Sequence, residues 1–77
     1  MLSKTVEGIR KILDNLSIEN VEGLVPAVKT LQQEDDRVTD TFLEGYAGGL
    51  QKSVEAEDVN RTEFFKSKFQ AELAKVL

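Results

Sequence analysis

The sequence predicts an all-α fold, a small antiparallel up-down bundle of three to four helices in one domain spanning 1–77. Apolar residues recur with the helical period along the whole chain. The stretches between periodic segments are short, near 17–23, 34–36 and 56–59, and short links between helices make antiparallel neighbours. The chain has 77 residues and no internal repeat, which is the size of a single domain with a modest core.

In the first segment Leu2, Val6, Ile9, Leu13 and Leu16 step by three and four residues, and Ile12 widens the stripe. Ser3 is placed to cap its start, and Ser17 to cap the next segment. The second segment sets Val21, Leu24, Val25, Val28 and Leu31 on one face. A helix capped by Asn20 would put Pro26 in its second turn, where it loses a hydrogen bond and its ring clashes with the carbonyl of Glu22. A start near Leu24 or Val25 puts Pro26 in the first turn instead. The second choice is expected, with "SIENVEG" as a turn or a loose helical lead-in.

The third segment, Arg37 to Glu55, contains "FLEGYAGGLQ". Glycine inside a helix costs about 1 kcal/mol relative to alanine, so three glycines raise the question of a break. On a helical wheel, however, Val38, Phe42, Leu43, Tyr46, Ala47, Leu50 and Val54 share one half, before and after the glycines alike. One continuous helix is therefore expected, with Asp35 or Asp36 as its cap. Gly49 falls within the apolar half and Gly45 at its edge, beside Tyr46. They form a notch that would receive either a side chain of the same fold or a second chain, unless the stretch is a hinge. Gly48 faces solvent and has no packing reason. The last helix begins at Asp58 or Asn60, and Asn60 with Glu63 has capping-box spacing. Its inward stripe is Phe65, Phe69, Leu73 and Val76, and Phe64 stands apart beside Lys68, Ala71 and Lys75.

Composition excludes several chemistries. The chain has no cysteine and no histidine. It therefore has no disulfide framework, no zinc-thiolate site and no imidazole to activate its serines and threonines. No enzymatic activity, cofactor or metal site is expected. Asp36, Asp40 and Glu44 would share a face of the expected third helix, but lack the pattern of a calcium loop. Their expected role is capping and solvation. No apolar run is long enough to span a membrane, and "MLSKTVEGIRKIL" lacks a signal-peptide core. A cytoplasmic location is the expectation.

Net charge is −4, which argues against nucleic acid. The charge is uneven, with residues 59–77 at +2 and residues 1–58 at −6. These signs suggest a basic helix lying against acidic surface, within the fold or between chains. The lysines interleaved with aromatics in "RTEFFKSKF" are the feature that points toward a nucleic-acid contact, which four basic residues on one helix of an acidic chain support only weakly.

In length, acidity and helix count the chain resembles acyl carrier proteins, but "EDDRVTDTF" has no serine where those proteins carry their prosthetic group. In size and charge it resembles acidic helical immunity proteins, without a motif of theirs. The functional expectation is a small regulatory protein-interaction module, self-associating as a homodimer through Phe64, Lys68 and Lys75 or through Gly45, Tyr46 and Gly49. The alternative is an acidic inhibitor that masks a basic partner. Salt separates the two, because apolar association resists ionic strength and charge-steered binding does not.

Overall fold

A computed structural model describes residues 3–77. Leu2, expected at the head of the first stripe, lies outside them. The chain forms α1 (Lys4–Asp14), a single turn α2 (Ile18–Val21), α3 (Leu24–Glu34), a 3-10 segment (Asp36–Asp40), α4 (Leu43–Glu55) and α5 (Val59–Val76). It is a small all-α bundle, as the periodicity predicts. The pairing of α4 with α5 is the most extensive, α3 packs on α4 and α1, and α2 leans on α4. Among the described residues no helix is long and apolar enough to cross a membrane.

The local signals act as their chemistry requires. Ser3 caps α1, its hydroxyl accepting from the Val6 amide at 3.2 Å. Ser17 and Asn20 form a reciprocal capping box at α2, each side chain accepting from the other's backbone N–H at 2.9 and 3.1 Å. With Gly23 as N-cap and Leu24 as first residue of α3, Pro26 sits in the first turn, where a missing N–H costs nothing. Asp58, rather than Asn60, caps α5, so the Asn60–Glu63 box is not used.

The core is Val6, Ile9 and Leu13 of α1, Val21, Leu24, Val28 and Leu31 from the next two helices, Val38, then Leu43, Ala47 and Leu50 of α4 and Phe69 and Leu73 of α5. Ile12, Leu16, Val25, Tyr46, Val54, Phe65 and Val76 pack around it.

One expectation fails. Arg37 to Glu55 is not one helix, because the chain breaks at Thr41 (φ −112°, ψ 170°). Three side-chain effects account for the break. The Thr39 and Thr41 hydroxyls donate to the Asp36 and Val38 carbonyls at 2.5 and 2.6 Å, giving those acceptors a partner other than a helix. Val38, turned back onto α3 by the 3-10 segment, is 1% exposed. Arg37 then ties the segment to the end of α5. Its guanidinium donates to the Val76 carbonyl at 3.2 Å while paired with Asp35 at 2.6 Å.

Beyond the break the glycine-bearing stretch is helical, since Gly45, Gly48 and Gly49 all lie inside α4. The helix ends in a Schellman motif. The Glu57 amide donates to the Val54 carbonyl at 3.0 Å and the Asp58 amide to the Ser53 carbonyl at 2.9 Å. Glu57 takes the left-handed conformation this requires, with φ 55°. Asp58 at once caps α5, accepting from the Arg61 amide at 3.0 Å. Two adjoining capping devices reverse the chain and set α4 against α5.

Candidate functional site

The chain has five aromatic residues. Phe69 is fully buried, and the other four form a connected row over the α4–α5 seam. Phe42 and Tyr46, one turn apart at the start of α4, have ring centroids 6.0 Å apart. Tyr46 and Phe65 meet across the seam at 6.5 Å. Phe65 and Phe64 are edge to face at 5.2 Å, a favoured geometry for aromatic pairs.

The row is exposed at both ends. Phe42 is 70% exposed and Phe64 54%, while Tyr46 and Phe65 are half-buried. The exposure of Phe42 corrects the wheel, which turns it inward. Its neighbour Leu43 takes the core position, and the break removes the helical turn that would have preceded it. Phe64 stands outside the buried stripe, as its offset from Phe65 predicts.

The expected notch is half right. An ideal Cβ on Gly49 would lie 2.6 Å from Cε1 of Phe65, so this glycine's contact is satisfied within the chain. Gly45 is not part of that contact. Nothing lies within 4 Å of a Cβ built there or on Gly48. Both instead line an open groove of about 570 Å³ that also includes Lys52, Arg61 and Phe65.

Cations border the row. The Lys68 ammonium sits 5.5 Å from the Phe64 ring centroid, within cation–π range. Lys75 is exposed at its head but already paired, donating to Glu72 Oε1 at 2.7 Å. Lys75, expected in the contact surface, thus has an intramolecular partner, whereas Lys68 has none among the described residues. Glu72 is the buried charged residue among those described, 8% exposed, and its other oxygen accepts from the Phe42 amide at 3.3 Å. The hydrogen bond from Lys75 holds the Glu72 carboxyl below the usual glutamate range, against the opposing effect of burial, with the Phe42 amide adding to the lowering. Sequence reasoning missed Glu72. The available signal is its spacing, three residues after Phe69 and seven after Phe65, on the buried side of α5.

Asp36, Asp40 and Glu44 do not share a helix face, since the break separates the first two from the third. Among the described residues no three acidic side chains converge as metal ligands would. Comparison with models of known families, with curated proteins and with solved structures finds no match.

Proposed function

We propose that this protein is a non-enzymatic interaction module that self-associates through the aromatic face of α4 and α5. The observation that carries the reading is the row Phe42–Tyr46–Phe65–Phe64, with rings exposed at both ends. Aromatic side chains supply large contact area and are enriched at the centres of interfaces. A 77-residue chain without cysteine has no disulfide to supplement a modest core, and association is the remaining route to further burial. With neither histidine nor cysteine, the chain offers no activated nucleophile of the usual kinds.

The position of Lys68 beside Phe64 favours this reading over an acidic inhibitor of a basic protein, whose contact surface would carry carboxylates. Sedimentation equilibrium of the full chain from low to high micromolar concentration tests it. The expected result is a mass of at least two copies, reduced toward one by Phe64→Ser with helicity retained. A monomer throughout refutes it.

A further inference from the structure

The aromatic face has an exposed counterpart on the same molecule. Ile18, the first residue of α2, is 52% exposed. Glu19 follows it and Glu22 ends the turn, both exposed and without an ion pair among the described residues. Between Lys11 and Lys29 the chain has no basic residue, and it has Asp14, Glu19 and Glu22. The α2 shoulder is thus an exposed aliphatic side chain bordered by free carboxylates. The α4–α5 face is an exposed phenylalanine with Lys68 beside its ring, and Lys68 likewise forms no ion pair among the described residues. The adjoining groove carries Lys52 and Arg61 together with Glu44 and Asp58.

Two arrangements of two copies compete. Phe64 against Phe64 would bring Lys68 toward the Lys68 of the other copy, and like charges across an interface are costly. Face against shoulder sets Phe64 on Ile18 and Lys68 opposite Glu19 and Glu22. The charges lie at the rim, where they select which surfaces meet, while the apolar contact at the centre carries the affinity.

We infer that the aromatic face of one copy docks on the α2 shoulder of the next. This rests on the self-association reading and specifies its geometry. Where the contact is repeated about a two-fold axis it closes as a dimer, and where it is not it is heterologous, closing as a ring or extending.

Complementation of two variants tests it. Phe64→Ser disables the face, and the double variant Glu19→Lys/Glu22→Lys disables the shoulder. All three positions are exposed, and circular dichroism checks that helicity is kept. Each variant alone is expected to sediment as a monomer where the wild type associates. An equimolar mixture should form a one-to-one pair that grows no further, because one intact face meets one intact shoulder. Wild-type-like association of Glu19→Lys/Glu22→Lys would overturn the face-to-shoulder geometry and leave self-association standing. So would two monomeric variants that fail to pair on mixing. A monomeric wild type would overturn both.

Discussion

The ring of Phe65 occupies the space that a side chain at Gly49 would fill. An added Cβ would lie 2.6 Å from Cε1, 2.8 Å from Cζ and 2.9 Å from Cδ1 of that ring. To make room the ring would have to turn toward the groove it lines and give up its packing against Tyr46 and Phe64. The absence of a side chain on α4 thus determines how closely α5 packs and where the aromatic row lies.

The three glycines of α4 should therefore respond differently to the same substitution. Gly49→Ala should destabilise by about 1–3 kcal/mol through overpacking, despite better helix propensity. Gly45→Ala and Gly48→Ala, with nothing within 4 Å of the new Cβ, should stabilise by up to about 1 kcal/mol. Urea unfolding of the three variants checks this. A stabilising Gly49→Ala would mean that the Phe65 contact is not tight.

Two phenylalanines of α5 separate as cleanly. Phe69 is fully buried and Phe64 is 54% exposed. Phe69→Ser should cost at least about 3–5 kcal/mol, a large share of the stability of a small domain, and abolish cooperative unfolding. Phe64→Ser should cost about 1 kcal/mol or less in the monomer, mostly from its lost contact with Phe65. Far-UV circular dichroism at about 25 °C, the temperature to which these energies refer, distinguishes them. Equal loss of helicity would contradict the burial pattern.

Glu57 carries a conformational penalty that glycine would not. Its φ of 55° lies in the left-handed region, where a side chain costs roughly 1–2 kcal/mol. Its amide and that of Asp58 satisfy the last carbonyls of α4, so the conformation is required. Glu57→Gly should raise stability by about 0.5–1 kcal/mol, since glycine also loses more entropy on folding. A lowered midpoint of thermal unfolding would refute this.

Features that depend on neighbours in the chain are the ones the sequence reveals. Ser3, Ser17 and Asp58 cap helices because short polar side chains reach the amide three residues on. Pro26 marks the start of α3 through its own ring. The break at Thr41 escapes the wheel because it depends on where Val38 finds burial, which is a property of α3. The positions of Phe42 and Lys75 escape it for the same reason. One lacks a cover in space, and the other is paired with Glu72, whose spacing from Phe65 and Phe69 turns it inward although its charge points the other way. The prominence of Phe64 is legible because its offset from Phe65 is fixed by the helix itself.

The buried carboxylate of Glu72 makes stability depend on pH. It accepts from the Lys75 ammonium at 2.7 Å and from the Phe42 amide at 3.3 Å. Phe42 is the N-cap of α4 but gives no side-chain cap, so Glu72 supplies negative charge at that helix start from another helix. Both hydrogen bonds favour the ionised form, and the folded-state pKa is lowered. A group lowered in this way stabilises the fold above its unfolded pKa, and that contribution is lost as the pH falls through the folded value. Stability should therefore decline below the ordinary glutamate range. Asp35, lowered by its hydrogen bond with Arg37, contributes to the same decline. Glu72→Gln keeps an acceptor for the Phe42 amide but cannot titrate. Its stability should be lower than wild type near neutral pH, and the gap should narrow as the pH falls well below the glutamate range. Urea midpoints for both proteins, taken at intervals of about one pH unit from about 7 down to about 2, provide the check. A gap that stays constant across the series would mean that the charge of Glu72 contributes nothing, leaving only its hydrogen-bond geometry to hold the end of α5 against the start of α4.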